Sequence, residues 1–199
     1  MPGNDWLSDR ETWLSALVWV GLALLFVGAM RRGRRLALAG VACLLVGWGV
    51  APLQREVPLM ETRLDEARPR FQFQEWHYRH VRAPQHVVYR AMKELAAEDA
   101  VAWLWREFRV VEEAEGCEIV LGRKVVAGAE ATINFLFEPT NRGTTVISTE
   151  TRVYAADAWA ARGFAMYWRV IYPGSALLRV AWLKAVERRA MRGGGYKGK

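Results

Sequence analysis

The sequence predicts an α+β domain that follows two membrane-spanning helices. Three observations support this prediction. Two long apolar runs without charges open the chain, polar and apolar residues alternate through its middle, and apolar residues recur at helical spacing in its C-terminal part. An antiparallel sheet with helices on one side is the α+β arrangement that this order of elements favours. The 199 residues suffice for one domain of ordinary size and a membrane anchor.

Composition narrows the classes of partner. The formal net charge is +7, but outside Arg31–Arg35 and the C-terminal tail the basic residues are scattered, and no basic stripe is interleaved with aromatic residues. We therefore expect no nucleic-acid partner. The two cysteines, Cys43 and Cys117, form no CxxC pair, and no spacing of ligating residues indicates a metal site. We expect no cofactor and no metal.

The N-terminal part is predicted to be a tail over residues 1–11 and a transmembrane helical hairpin over residues 12–54. The runs Thr12–Met30 and Leu36–Leu53 hold 19 and 18 residues without a charge, close to the roughly 20 residues that cross a bilayer as a helix. Acidic residues before the first run argue against a cleaved signal peptide. The short basic segment between the runs makes the helices antiparallel neighbours, with Gly33 expected to take the positive φ of the turn.

Glycines recur seven residues apart in each apolar run, at Gly21 and Gly28 and at Gly40 and Gly47. Small residues at this spacing let two helix backbones approach closely. General enrichment of glycine in membrane helices explains the same pattern equally well, so both interpretations stay open here.

The orientation follows from the positive-inside tendency. The turn between the spans holds four arginines and no acid, and the N-terminal flank is acidic. We therefore expect the turn in the cytoplasm, and the folded domain outside it, at the bacterial inner or plasma membrane. Arginines after the second span favour the opposite orientation, which stays open. They are Arg55, Arg63, Arg68 and Arg70.

Three further regions are predicted after the hairpin. Residues 55–71 are expected to be a linker, because Pro58 and Pro69 each bias the preceding residue away from helix. Residues 72–190 form the folded domain, and residues 191–199 form a basic, glycine-rich disordered tail.

The first half of this domain is predicted to hold one strand and two helices. In the strand, Trp76, Tyr78 and His80 share one face, whereas His77 lies on the other face. The two histidines therefore point to opposite sides and do not share a metal. Pro84 is expected to open the first helix, and a second, short helix is expected after Asp99, carrying Trp103, Leu104 and Trp105.

The second half is predicted to hold an antiparallel set of strands and a long final helix. Asp157 is expected to cap the helix that starts at Ala158. Pro173-Gly174 is expected to interrupt this helix near Tyr172, with Ser175 capping a second piece. The predicted strands are Phe108–Glu112, Glu118–Val125, Glu130–Glu138 and Thr144–Tyr154.

Three stretches of this domain carry a resemblance to a known family. They are HYRHVRAPQHVVYRAMKEL, FRVVEEAEGCEIVLG and TETRVYAADAWAARGFAMYWRVIYPGSALLRVAWLKAV. The last is the most specific. Together they resemble the helix-grip fold of the START-like superfamily, also called SRPBCC or polyketide cyclase/dehydrase-like, in an uncharacterised bacterial branch. The resemblance implies a cavity for a lipid or other hydrophobic small molecule under the final helix. It implies no shared catalytic set, because some members are enzymes and others only carry ligand.

Seven residues are candidates for the ligand site. Glu150 and Arg152 lie on one face of the last strand, and the more apolar opposite face makes outward, solvent-exposed side chains the simpler interpretation. Alternatively, both point inward beneath the last helix, where burial requires them to be paired. The aromatic candidates are core residues in one interpretation and pocket lining in the other. They are Phe135, Phe137, Phe164, Tyr167 and Trp168.

The sequence thus predicts a membrane-anchored protein that binds a membrane lipid or another apolar small molecule, with no catalysis expected. The first alternative is a cyclase or dehydratase acting on a membrane-soluble substrate, which requires both Glu150 and Arg152 in the cavity. The second is an assembly or regulatory protein with a membrane protein partner, which requires a packed core without a cavity.

Overall fold

The computed structural model of the protein describes residues 10–98 and 107–193. The chain divides into two compact units, which are described separately. The first unit comprises the described residues up to Leu53, together with Val126–Ala129 and Ala155–Gly174. The second comprises the described residues of Gln54–Val125, Glu130–Tyr154 and the chain from Ser175 onward. The short helix predicted after Asp99 lies outside the described residues.

The first unit contains a helical hairpin, α1 (Arg10–Met30) and α2 (Arg34–Gly49). By length and composition, α1 is able to cross a membrane, and among the described helices it is the one that meets this criterion. The helix α2 holds 16 residues and ends before the predicted limit at Leu53. Pro52 explains the early end, because a proline biases its preceding residue out of the helical region.

The glycines of the hairpin lie where the two helices touch. A Cβ atom placed on Gly28 would be 2.7 Å from the backbone nitrogen of Ala37, and one on Gly40 would be 2.7 Å from the carbonyl oxygen of Gly21. A Cβ on Gly47 would be 2.8 Å from Val18. Close approach of the backbones, one of the two interpretations of the spacing, is therefore what the structure contains.

The turn between α1 and α2 differs from the prediction in one residue. Arg32, with φ of +51°, takes the left-handed conformation, whereas Gly33 has φ of −87°. The amide of Gly33 donates to the carbonyl of Gly28 at 2.8 Å, and the amide of Arg32 donates to that of Ala29 at 3.4 Å. These are the bonds of a Schellman ending, in which the left-handed residue precedes the one that donates the longer-range bond. The prediction that Gly33 takes positive φ was wrong.

The segment predicted to be a linker folds within the second unit. The short strand β1 (Arg55–Glu56) pairs with β2 (Arg70–Phe71), and the helix α3 (Arg63–Ala67) lies between them in the chain. Thr62 caps α3 with a reciprocal capping box formed with Asp65. Leu64 is fully buried, so this segment packs as part of a core.

The second unit is built on a five-stranded antiparallel sheet. Its strands, in chain order, are β3 (Phe73–Val81), β4 (Arg109–Ala114), β5 (Glu118–Lys124), β6 (Glu130–Pro139) and β7 (Thr145–Tyr154). Their order across the sheet is β3-β7-β6-β5-β4. The ends of β4 to β7 lie within two residues of the prediction, because alternation of polar and apolar residues marks strands directly.

Two helices cover one face of this sheet, which we call the inner face. They are α4 (Gln85–Ala97) and the part of α5 (Ala158–Gly193) that begins at Ser175. The core between them is apolar and includes Met92, Phe135, Phe137, Ile147 and Trp182. A sheet with a first helix and a long final helix fits the helix-grip arrangement that the resemblance implies.

The helix α5 is continuous for 36 residues and passes through Pro173. The predicted interruption at Pro173-Gly174 was therefore wrong. A proline inside a helix leaves the carbonyl four residues earlier without its amide donor, and here that carbonyl belongs to Arg169. The Ser15 hydroxyl donates to it at 2.5 Å, which supplies the missing bond. The Asp157 cap is confirmed, since its Oδ1 accepts from the amides of Trp159 and Ala160 at 2.9 and 2.8 Å.

Candidate functional site

A polar row interrupts the apolar lining of the inner face. Glu75 pairs with Thr151 and His77 pairs with Thr149 across β3 and β7. Paired residues of antiparallel strands point to the same side of the sheet. The inner-face positions on either side of this row along β7 are apolar, at Ile147 and Val153. Such a row in an otherwise apolar face is a candidate binding site, because buried polar groups need partners.

Glu75 is at the centre of the row and is only 3% exposed. Its Oε1 lies 2.9 Å from Nε2 of His77, and its Oε2 accepts a 2.7 Å hydrogen bond from the Ser175 hydroxyl. An ionised carboxylate only accepts hydrogen bonds, so Nε2 of the imidazole donates. The serine of α5 and the histidine of β3 are therefore held by the same buried carboxylate.

Arg179 lies one helical turn beyond Ser175, on the same side of α5. Burial lowers the pKa of its guanidinium, while the negative charge of Glu75 acts in the opposite direction. Its nearest polar contact given by the structure is Nη1 to Oγ1 of Thr149 at 3.5 Å, which is long for a hydrogen bond. This half-buried cation faces the row, and most of its donors have no hydrogen-bond partner among the residues that the structure describes.

The geometry of the row suits binding better than nucleophilic catalysis. An activated serine requires a base that accepts its proton, usually an imidazole. Here Ser175 donates to Glu75, and the carboxylate separates it from His77. The row offers several donors around one carboxylate, which is the arrangement needed to orient a polar group of a ligand.

The candidates Glu150 and Arg152 lie on the opposite, outer face of the sheet. They pair with Asn134 and Thr132 of β6, whereas the neighbouring Ile133 and Phe135 point to the inner face. The face assignment of the simpler interpretation is thus confirmed. Its expectation of solvent exposure was wrong for Arg152, which is 4% exposed.

Arg152 is buried because the segment 55–71 covers it. Its guanidinium contacts Asp65 at 2.7 Å and Glu150 at 2.5 Å, donates to the carbonyl of Arg68 at 3.2 Å, and lies over the ring of Phe71. Two carboxylates and a carbonyl compensate the loss of water around one cation. This ion cluster joins the outer face of the sheet to α3 and β2.

A second buried carboxylate secures the same segment. Glu118, 3% exposed, accepts from the amides of Arg63 and Leu64 at 2.8 and 3.2 Å and from the side chain of Asn134 at 2.6 Å. These amides are among those that a helix start leaves without an internal partner. The outer face of β5 and β6 is therefore built to hold α3 in place.

The five aromatic candidates do not form one set. Phe135 and Phe137 belong to the core of the second unit, where they are 1% and 2% exposed. Phe164, Tyr167 and Trp168 belong to the first unit, and Phe164 contacts both of the other rings. The structure therefore brings the candidates together in smaller groups, on two faces of the sheet and in two units.

The first unit holds its own buried charge. Arg169 of α5 is fully buried and lies 3.0 Å from the carboxylate of Glu11, next to the start of α1. It also donates to the carbonyls of Gly47 and Val50 at the end of α2. A cation at a helix C-terminus satisfies carbonyls that lack internal partners and interacts favourably with the helix dipole.

Sequence reasoning missed Glu75, Ser175 and Arg179 as site residues. A weak signal existed, because Glu75 and His77 share a strand face, and Ser175 and Arg179 are four apart in a helical pattern. The spacing of Ser175 and Arg179 was overlooked, because the predicted interruption at Pro173 made Ser175 the cap of a new helix.

Comparisons with known proteins give no family. No protein-family model matches the chain, and no curated protein matches it. Several solved structures match part of the chain at low TM-scores. Protein MLL2253 from Mesorhizobium loti has a TM-score of 0.40 and 13% identity, over 60% of this chain and 98% of that protein.

Two further structures give similar values. The Zhui aromatase/cyclase from Streptomyces sp. R1128 has a TM-score of 0.33 and 18% identity, over 63% of this chain and 98% of that protein. CalU16 from Micromonospora echinospora has a TM-score of 0.39 and 8% identity, over 70% and 90% of the two chains. These scores and identities are too low to assign this chain an activity.

Proposed function

We propose that this protein is a membrane-anchored binding protein that holds a lipid or another apolar small molecule at the inner face of its sheet. One observation carries the proposal. The polar row of Glu75, His77, Ser175 and Arg179 lies within an apolar face and includes a cation with donors that no described residue accepts from. Ligand sites of this type are mostly apolar, with a few polar groups that fix orientation.

The charges of the row favour a neutral polar end group on the ligand. The carboxylate of Glu75 already balances the charge of Arg179, so a full negative charge on the ligand would meet the buried carboxylate. A hydroxyl or carbonyl group instead accepts from Arg179, and a hydroxyl also donates to a carboxylate oxygen. We therefore infer a ligand with an apolar body and a hydroxyl or carbonyl end.

The proposed anchor is α1, which has the length and composition of a membrane span. Five residues, 50–54, separate α2 from β1 in the chain. An extended chain of this length spans at most about 17 Å, at roughly 3.4 Å per residue. Apolar ligands partition into membranes, so the anchor raises their concentration near the domain.

Binding of a fluorescent long-chain alcohol to the full chain in detergent tests the proposal. The matched probe is the same dye with an alkane tail lacking the hydroxyl. We expect the alcohol to bind more tightly than the alkane probe. We expect Arg179→Gln to weaken binding of the alcohol about tenfold, since a hydrogen bond from a charged donor is worth about 1.5–3 kcal/mol. Arg142→Gln, in the exposed turn after β6, is the matched control.

Native mass spectrometry of the full chain purified from membranes identifies the natural ligand. A co-purified apolar molecule that Arg179→Gln releases supports the proposal. Equal affinity for both probes, together with no co-purified molecule, would contradict it. That outcome favours the assembly alternative, which requires a packed core like the one that Phe135, Phe137 and Trp182 form.

The cyclase or dehydratase alternative required Glu150 and Arg152 in the cavity. Both lie on the outer face, where Arg152 is closed off by Asp65 and Phe71. This alternative therefore has no observation in its favour. It predicts turnover of an added substrate, whereas the proposed function predicts release of the bound molecule unchanged.

A further inference from the structure

A groove of about 540 Å³ lies on the outer face of the sheet, away from the polar row. Its lining includes Ala67 at the end of α3, together with Arg68, Arg109, Gly122, Lys124 and Thr132. The volume falls in the range of small-molecule sites, which is about 300–1,000 Å³. The groove is therefore large enough for an organic molecule, not only for a small ion.

The charges along the groove are unequal. Four of its lining side chains are basic and two are acidic. Both acids are already engaged: Glu130 contacts Arg68 at 2.7 Å, and Glu107 contacts Arg123 at 2.5 Å. The other two basic side chains of the groove are Arg109 and Lys124, and neither makes an ion pair with any residue that the structure describes.

The backbone brings these two cations together. Arg109 pairs directly with Gly122 across β4 and β5, and Lys124 is two residues further along on the same face, opposite Glu130 of β6. Such diagonal neighbours have Cα atoms roughly 7–8 Å apart, within reach of two long side chains. The Val111 side chain packs over Gly122, because a Cβ atom there would be 2.8 Å from its Cγ2, and it forms an apolar part of the groove lining.

We propose that this groove binds a phosphate-bearing small molecule or headgroup between Arg109 and Lys124. A guanidinium forms two parallel hydrogen bonds to a phosphate, and an ammonium adds a compact charge. Two neighbouring like charges repel each other unless an anion lies between them. Arg68, fixed by Glu130 and by the Thr132 hydroxyl at 3.2 Å, forms the wall of the groove.

Calorimetric titration of the full chain in nanodiscs tests this site. The soluble probe is glycerol 3-phosphate, added to nanodiscs of a neutral phosphatidylcholine. The membrane probe is a set of nanodiscs that also contain phosphatidic acid, with glycerol 3-phosphate added as competitor. Heat of binding in the neutral discs that phosphatidic acid leaves unchanged indicates a soluble phosphate compound as ligand. Heat of binding in the neutral discs that phosphatidic acid suppresses indicates a lipid headgroup.

The variant Arg109→Gln with Lys124→Gln removes both cations from the groove. We expect it to bind glycerol 3-phosphate or phosphatidic acid at least tenfold more weakly. The control is Arg142→Gln with Lys184→Gln, which removes two exposed charges elsewhere on the second unit. We expect the control to bind as the natural chain does. Equal losses in both double variants would show general electrostatic attraction and overturn the proposal.

Absence of glycerol 3-phosphate binding in the neutral nanodiscs would also overturn it. The long-chain alcohol assay reports on the inner face and separates the two proposals. The groove variant is expected to bind that alcohol normally, and Arg179→Gln is expected to bind phosphate normally.

Discussion

Asp65 shows how much one buried side chain holds together. Its Oδ2 accepts from the amide of Thr62 at 2.9 Å in the capping box, while its Oδ1 contacts Arg152 at 2.7 Å. Burial alone would raise the pKa of Asp65, but hydrogen bonds from Arg152 and Thr62 outweigh it, and the pKa is lowered. The same carboxylate therefore starts α3 and compensates the charge under it.

Replacing Asp65 by asparagine separates these two roles, because the amide oxygen still accepts from Thr62 while the charge is lost. We expect Asp65→Asn to lower the free energy of unfolding by about 2–4 kcal/mol at neutral pH, since Arg152 loses one of its two acids in a buried position. Thermal unfolding in detergent measures this. Glu66→Gln, which affects only an exposed pair with Arg63, is expected to change it by less than about 0.5 kcal/mol.

The pH dependence of this difference follows from the lowered pKa of Asp65. A carboxyl group with a lowered folded-state pKa contributes stability above its unfolded value of about 3.9. The contribution is lost as the pH falls through the folded-state pKa. The unfolding curves of the natural chain and of Asp65→Asn should therefore approach each other below about pH 4. A constant difference down to strongly acidic pH would contradict this assignment.

At the scale of elements, the hairpin depends on the absence of side chains at its glycines. We expect Gly28→Ala to destabilise the hairpin by about 1–3 kcal/mol, because its new Cβ would meet the backbone of Ala37 at 2.7 Å. This cost exceeds the roughly 1 kcal/mol that alanine gains over glycine inside a helix. Thermal loss of helical circular dichroism measures it. Gly49→Ala is the control, since nothing lies within 4 Å of its Cβ.

The continuity of α5 depends on the bond from Ser15 to the carbonyl of Arg169. We expect Ser15→Ala to cost about 1–2 kcal/mol of unfolding free energy, because it leaves a buried carbonyl unpaired. In the background of Pro173→Ala, residue 173 regains an amide that can donate to this carbonyl. The same serine replacement should then cost much less. A double-mutant cycle on the full chain gives the coupling free energy between Ser15→Ala and Pro173→Ala. Additive effects of the two changes would contradict the proposed role of the serine bond.

The elements that the sequence predicted well are those with a local signal. The strands β4 to β7 follow from alternation, and the cap of α5 follows from Asp157. The segment 55–71 could not be assigned in this way. Its prolines indicate breaks, and its order comes from Glu118 and Arg152, which lie 45 or more residues further along the chain. Contacts of that range are absent from any local pattern.

The same limit applies to the candidate site. The polar row joins Glu75 of β3 to Ser175 and Arg179 of α5, which are 100 or more positions away in the chain. The alternation of side chains along a strand predicts which residues share a face, and it correctly placed Glu150 and Arg152 together on the outer face. Which segment covers each face of the sheet depends on the whole fold. The burial of Arg152 and Glu75 therefore could not be predicted from the strand pattern.

At the scale of the whole molecule, the proposed anchor raises the question of topology. The turn between α1 and α2 carries four arginines, which predicts that it lies in the cytoplasm. The sequence also predicts that α2 crosses the membrane, and with the turn inside, the second unit with both proposed sites would then be extracytoplasmic. The natural cysteines suit a test, because Cys117 is exposed on the second unit and Cys43 is half-buried in α2.

We expect a membrane-impermeant maleimide to label Cys117 in intact spheroplasts, because an exposed thiol reacts only with reagent on its own side of the membrane. Cys117→Ala should lose the label, and Cys43→Ala should keep it. Labelling that requires lysis would instead place the second unit in the cytoplasm, with the basic turn outside. In that case the arginines after the second span, among them Arg55 and Arg63, would outweigh the turn in setting orientation. The ligand of each proposed site would then come from the cytoplasmic pool, while the side chains that bind it stay the same.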